Sequence, residues 1–453
     1  MSTVDDLVDP AAGVLTWVRP LLPDPVAPPS LQVWASHSAD VDHVLGVPAD
    51  RFGTGTSFDA PDAARSAAIG EAIERYCANI VPTDLVVASH EELSRSGPRS
   101  IDPTTLALYS ESQYAEAGCP FVPFRPELRV RWAEGTSLVD GRPCLVPASL
   151  VWMNYFLGPR RDDPPTNFAM FAGVAAGPDP AWARRSALEE LIERDATMVW
   201  WHSGGDPIAV EIDDPSLAAQ LAPPPTSPVE VTYVSIPNRL GVPVIGAFLR
   251  DHDDEVVALG VAARARAADA VRKAAAEAWS LRTYALGLAD PEGLIWRAAQ
   301  AALIDGSALK PFRADRRYAD DYRDDFRDVT DLSCQSQIYL DRRMHHWCDR
   351  IRRPGRSTAL SEIAAVDGDP LTAYLSLLVD VDVHPVVVDL TTPDVAACGL
   401  SVVRVVAPGL YSNPPAAFPF LGGTRLRTEP RTLGLAERDL AEDELVLAPL
   451  PHT

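Results

Sequence analysis

The chain has 453 residues, 47 % hydrophobic and 23 % charged, a balance that suits a large folded protein and excludes a disordered one. Its net charge of −23, from 63 acidic against 40 basic residues, argues against a broad nucleic-acid or anionic-membrane surface. Six scattered cysteines without CxxC spacing argue against a disulfide framework or structural zinc. With an N-terminus lacking a basic-then-apolar stretch, they point to a cytoplasmic protein, and no run of about 18 apolar residues marks a membrane span.

Residues 1–50 read as an N-terminal extension, Pro-rich around LLPDPVAPPS and so loop-like. DAARSAAIGEAIERYCANI (62–80) has small and apolar residues at helical spacing, and Pro82 ends it. Residues 120–156 read as short strands, with Asp140-Gly141 between two apolar runs as a hairpin signal. A second helix is expected from about Pro180 to Trp201, with Asp179 as N-cap and Pro180 in its first turn. PPPTSP within 213–228 is a joint, after which VEVTYVSIP, VPVIGAFLRD and VVALGVAARA read as strands. A third helix runs from Asp269 to about Leu286. FRADRRYADDYRDDFRDV (313–330) suggests a solvated helix face or a mobile segment. Residues 384–410 alternate strand and turn signals, and LVLAPLPHT forms an extended tail. The expected fold is mixed α+β, with mainly antiparallel sheets and long helices around a central cleft.

Two helices carry a faint repeat: AAIGEAIERYCA at 67–78 echoes SALEELIERDAT at 186–197. Glu71, Glu74 and Arg75 stand at i, i+3 and i+4 on one helix face, and Glu190, Glu193 and Arg194 repeat the pattern. One reading is an exposed face laced by salt bridges. The other is that the two faces meet and gather four carboxylates and two guanidiniums. Magnesium takes oxygen ligands shared with phosphates, and arginine's planar fork suits phosphate. The apolar flanks Ile69, Ile73, Leu188, Leu191 and Ile192 leave little polar face, and a buried charge cluster is costly without a ligand to organise it. The third helix adds Lys273, one of only two lysines, with Glu277 at i+4 and Arg282 further on. No P-loop, kinase signature or GxSxG elbow is present.

FGTGTSFDAPDAARSAAIGEAIERY, FAGVAAGPDPAWARRSALEELIERDA, GVAARARAADAVRKAAAEAWSLR and VVVDLTTPDVAACGLSVVRVVAPGL occur in this order across residues 51–426. Together they resemble the YcaO superfamily, in particular its azoline-forming cyclodehydratase branch. The resemblance implies a catalytic domain over 51–426, followed by a C-terminal segment over 427–453. It implies a central cleft for ATP and magnesium, with Glu71, Glu74, Glu190, Glu193 and Glu277 as metal ligands and Arg75, Arg194, Lys273 and Arg282 as nucleotide contacts. It further implies a Pro-containing tail reaching the active site, here Pro449, Pro451 and Thr453. The implied reaction is ATP-dependent activation of backbone amides in a ribosomally made precursor peptide, closing Cys, Ser or Thr to thiazoline or oxazoline. Thioamide or macroamidine formation and a non-catalytic peptide-binding scaffold are the alternatives. Implied partners are the precursor peptide, a separate leader-binding protein and a second copy of the chain. Where the family has serine, Asn-Gly, glutamine and lysine, this chain has Ala67, Ala172-Gly173, Ser280 and Thr54.

Overall fold

The computed structural model describes residues 3–42, 49–301 and 303–452. β1 (Leu15–Pro20), β2 (Leu31–Ser38) and β3 (Phe52–Phe58) form a three-stranded antiparallel sheet. The Pro-rich segment expected as a loop is only the link between β1 and β2. Residues on both sides of it are strands, and pairing of β2 with β3 carries the sheet across residue 50. The remaining strands are β4 (Val86–Ala88), β5 (Val130–Ser137), β6 (Pro143–Pro147), β7 (Val174–Gly177), β8 (Ile208–Glu211), β9 (Val229–Ser235) and β10 (Val244–Asp251). They continue with β11 (Val257–Ala263), β12 (Ser357–Ala359), β13 (Val386–Asp389) and β14 (Ser401–Val406). A second sheet has the order β11-β10-β9-β8-β12, and a third runs β4-β5-β13-β14-β7 with β6 paired to β5. All pairings between these strands are antiparallel except β12 with β8. The β5–β6 hairpin turns through Gly141 at φ 70, as the Asp-Gly signal predicts.

Three helices anchor these sheets. α1 (Pro61–Cys77) lies on β2 and β3 and also meets β7. The approach of β3 to α1 is so close that a Cβ on Gly55 would strike the backbone of Ala64 and Ala68, which explains the glycines of GTG. α2 (Pro180–Ser203) starts under an Asp179 cap, whose carboxylate accepts from Trp182 N at 2.8 Å, and stops at Gly204 with φ 70. It contacts β7 and β14 of one sheet and β11 of another. α3 (Ala267–Ala289) packs on β10 and β11 and reaches β3.

α2 is buried nearly all round: Leu188, Ile192, Val199, Trp200 and Trp201 are at most 1 % exposed, each worth roughly 1.5–3 kcal/mol of apolar burial. That centrality also takes Glu189, Glu193 and Asp195 out of water. Glu189 accepts from Tyr374 Oη on α4 (Pro370–Asp380) at 3.1 Å, and Asp195 pairs with Arg425 of α5 (Arg425–Thr432) at 2.7 Å. These two carboxylates clamp later segments onto α2.

Residues 313–330 are neither a helix nor a solvated face throughout. They form turns whose arginines pair with nearby aspartates, as in Arg313–Asp321 and Arg323–Asp325. Their interleaved Tyr318 and Tyr322 are buried in the core around α2. No helix among the described residues is long and apolar enough to cross a membrane.

Candidate functional site: a carboxylate cluster where three helices and the tail meet

The two repeated faces converge, and α3 joins them. On α1, Glu71 accepts from Thr54 N at 2.6 Å and from the Thr54 hydroxyl at 3.2 Å, and pairs with Arg75 at 2.6 Å. Arg75 also holds Asp50 at 2.6 Å, which closes this end locally. One turn on, Glu74 accepts from Ala176 N of β7 at 2.7 Å. Desolvation pushes its carboxyl up to about 8; that backbone donor opposes the shift, and the charges of Glu190 and Glu71 add to it.

On α2, Glu190 accepts from Gly173 N at 2.9 Å, and Arg194 lies 3.8 Å from Glu190 and 3.1 Å from Glu193. Glu193 is 3 % exposed. Burial pushes its carboxyl up to about 8 against the pull of Arg194, and the negative charges of Glu277 and Glu190 push it further. On α3, Lys273 pairs with Glu277 at 2.9 Å. Burial works against ionisation of Glu277, but Lys273 and Arg194 outweigh it and hold the carboxyl below its usual range. The cluster thus contains both protonated and ionised carboxyls.

Pro449 and Pro451 are buried, so the tail is built into the fold. Tyr339 Oη donates to the Pro449 carbonyl at 2.7 Å, and Leu259 N of β11 donates to that of Pro451 at 2.8 Å. Neither proline carries an ionisable group. The group the tail delivers to the cluster is the imidazole of His452, 2 % exposed, whose Nε2 faces Arg194 Nη1. His452 Nδ1 is 2.9 Å from the Leu259 carbonyl; since Arg194 can only donate, Nδ1 carries the proton and Nε2 accepts. Burial and the adjacent Arg194 push the ring's pKa down to about 3, so it is neutral. Thr453 lies outside the described residues.

Arg282 is not part of this cluster. Its guanidinium is 3 % exposed and consumed by Asp24 and Asp251, each at 2.6 Å, with Asp254 at 3.4 Å. With three carboxylates around it, it ties α3 to β10 and to the β1–β2 connection and has no free donor to offer a nucleotide.

Two contributors escaped the sequence reading. His452 sat in a tail whose prolines drew attention instead. Arg404 is fully buried in β14 and donates to the carbonyls of Val151 at 2.9 Å and Met170 at 2.6 Å, and to that of Ala172. Burial lowers its pKa to about 10, which leaves it cationic, with Glu190 and Glu74 within electrostatic reach. It fixes the loop that presents Gly173 N–H to Glu190. The available signal was a lone arginine inside the apolar run SVVRVV.

Glu193 Oε1, Glu277 Oε2 and Arg194 Nε are buried without a hydrogen-bond partner. Buried orphans are uncommon in native proteins and call for an explanation. Glu193 Oε1 does have Arg194 Nη1 as an ion-pair partner at 3.1 Å, so Glu277 Oε2 and Arg194 Nε are the atoms left with no partner, one carboxylate oxygen and one guanidinium N–H of the kinds that metal and phosphate take up. Among the described residues no three His, Cys, Asp or Glu side chains converge as a preformed metal cage. Magnesium held by one or two carboxylates together with phosphates and water needs no such cage.

Comparison with known proteins bears on the fold and the family. A solved structure described as "Heterocyclase in complex with substrate and Cofactor" superposes with a TM-score of 0.70 at 19 % identity; it covers 98 % of this chain and 56 % of its own, so this chain spans just over half its length. YcaO from Methanopyrus kandleri bound with AMPPCP and Mg2+ superposes with a TM-score of 0.54 at 17 % identity, covering 88 % of this chain and 86 % of its own. At these identities the likeness is one of fold. "Uncharacterized protein in tfuA 3'region" of Rhizobium leguminosarum bv. trifolii is 29 % identical over 135 residues, 30 % of this chain and 29 % of that protein. The family profile "YcaO cyclodehydratase, ATP- and Mg2+-binding" matches residues 53–411, and the chain belongs to the YcaO family, with ATP and magnesium as its cofactors.

Proposed function

We propose that this chain is an ATP-dependent cyclodehydratase that activates backbone amides of a ribosomally made precursor peptide, closing Cys, Ser or Thr to thiazoline or oxazoline. The observation that carries this reading is the convergence of buried carboxyls from α1, α2 and α3 within electrostatic reach of one another, with Glu277 Oε2 and Arg194 Nε left without a partner. Glu74, Glu190, Glu193 and Glu277 would hold magnesium, and Arg194 and Lys273 would meet phosphate oxygens, while Glu71 and Arg75 stay in their own ion pair at the rim of the cluster. Bound there, ATP supplies the phosphoryl group that makes an amide oxygen a leaving group.

The chain's own residues do the rest. Arg194, 12 % exposed, would offset negative charge on phosphate oxygens where water is largely excluded and such pairing is strongest, and Lys273, 42 % exposed, would do so from the solvent side. Glu74 and Glu193, with pKa values near 8, are protonated in the free protein and give up their protons when a cation arrives. The neutral His452 offers a lone pair at Nε2 that Arg194 occupies in the free protein. The proposed partners are the precursor peptide, a separate leader-binding protein and a second copy of this chain.

The test is calorimetric titration of magnesium-ATP into the parent and into a Glu190→Ala, Glu193→Ala double variant. Saturable magnesium-dependent binding in the parent and none in the variant supports the reading. No binding by the parent, with tight binding of peptide, makes the protein a scaffold instead.

A further inference from the structure

The cavity lined by Glu230, Thr232, Phe248, Arg250, Arg352 and Arg353, about 170 Å³ in volume, shares no residue with the carboxylate cluster. It lies on one face of the β9–β10 ladder. Glu230 stands directly opposite Arg250 and Thr232 opposite Phe248, so the four side chains project to the same side. The short helix Asp349–Arg352 lies against β9 and brings Arg352 and Arg353 over this face.

Three guanidiniums in one small concavity are unexpected in a chain of net charge −23. Arg352 pairs with Asp349 at 3.0 Å. Arg250 and Arg353 have no side-chain hydrogen bond or ion pair among the described residues. The only acid in the lining, Glu230, is turned to His252 at 3.2 Å and pairs with neither. The cavity therefore presents two unengaged guanidinium forks and the Thr232 side chain above the buried Phe248.

A guanidinium fork matches the two oxygens of a carboxylate or phosphate. Glu230 weighs between them: its charge repels either anion, but a phosphate dianion about twice as strongly as a carboxylate monoanion. We propose that this pocket is an exosite that captures the carboxylates of an acidic segment of the peptide substrate, away from the nucleotide cluster. The proposal rests on the peptide-modifying reading above for its role. Its chemistry depends only on the pocket.

The test is fluorescence anisotropy with the full chain and a short fluorescein-labelled glutamate-rich peptide, its glutamine counterpart, and inorganic phosphate as competitor. The expected result is saturable binding of the glutamate peptide alone, weakened roughly tenfold or more in Arg353→Glu and in Arg250→Glu, as loss of a charge-assisted fork implies. Arg250→Lys should retain part of the affinity. Magnesium-ATP titration of the same variants should match the parent. Arg353 is exposed, so its variant tests the idea even if Arg250→Glu fails to fold. Equal binding of the glutamine peptide, no binding by the parent, parent-like affinity in Arg353→Glu, or displacement by phosphate at peptide-like concentrations overturns the exosite. Loss of ATP binding in the parent with peptide capture intact would sink the proposed reaction and leave the exosite standing.

Discussion

The two Glu-x-x-Glu-Arg faces are near copies in sequence and opposites in environment. Arg75, 31 % exposed, is neutralised by Glu71 and Asp50, and Glu71 is further held by Thr54. Arg194, 12 % exposed, has Glu193 at 3.1 Å, Glu190 only at 3.8 Å, a neutral imidazole, and an unsatisfied Nε. α1 lies on the small three-stranded sheet with its acidic face part-exposed; α2 is buried nearly all round. The same motif is thus saturated where water can reach it and left open where water cannot. An unsatisfied charge in a dry place is costly, and a ligand that binds there relieves that cost.

The largest break in this comparison should come from the arginines themselves. Arg194→Ala removes a guanidinium that helps hold buried Glu277 ionised and strips Glu193 and His452 of a partner, and is expected to cost about 3–5 kcal/mol in denaturant unfolding. Arg75→Ala, about one-third exposed and paired with carboxylates that water reaches, should cost under about 1 kcal/mol. Equal costs would erase the distinction.

A pH series sharpens it. Glu74 and Glu193 have folded pKa values near 8, above the ordinary 4.5, so the folded state binds the extra protons between those limits. Their contribution is fully present below about pH 4.5 and is lost as pH rises through 8. Melting temperatures of the ligand-free protein should fall across that window, and Glu193→Gln should flatten the fall. A parent profile no steeper than that of Glu193→Gln would contradict the protonated state.

The tail comes next. His452→Ala strips the Leu259 carbonyl and Arg194 of a partner and should destabilise by about 1–3 kcal/mol. A loss of less than a few tenths would mean that the tail only rests on the site.

The smallest effect lies at Gly70, the α1 counterpart of Glu189. A Cβ there would meet only Ala176 Cβ at 4.0 Å, so Gly70→Ala should stabilise by about 0.5–1 kcal/mol. A destabilised variant would show that α1 packs against β7 more tightly than this contact implies.

Much of the framework was legible in the chain. Helical periodicity with Pro180 and Asp179 marks α2 within two residues of its end, and Asp140-Gly141 marks the β5–β6 hairpin. The repeat at 67–78 and 186–197 foretells that the two acidic faces converge. Residues 313–330 misled because composition reports charge and not partners. Their arginines and aspartates neutralise one another locally, and that lets Tyr318 and Tyr322 turn inward. Arg282 misled for the same reason, since Asp24 and Asp251 approach it only through the folding of β10 and the β1–β2 connection.

By itself, then, the sequence determined the local elements and the types of group that could hold a nucleotide, because periodicity, caps and i, i+4 spacing are properties of a few consecutive residues. Tertiary structure alone decided which groups are left unsatisfied. It set His452 against Arg194 across 258 positions, anchored Arg404 under the loop of Gly173, and assigned Arg282 to a different set of carboxylates. Burial and pairing depend on what the rest of the chain brings to each side chain, and no local pattern carries that information.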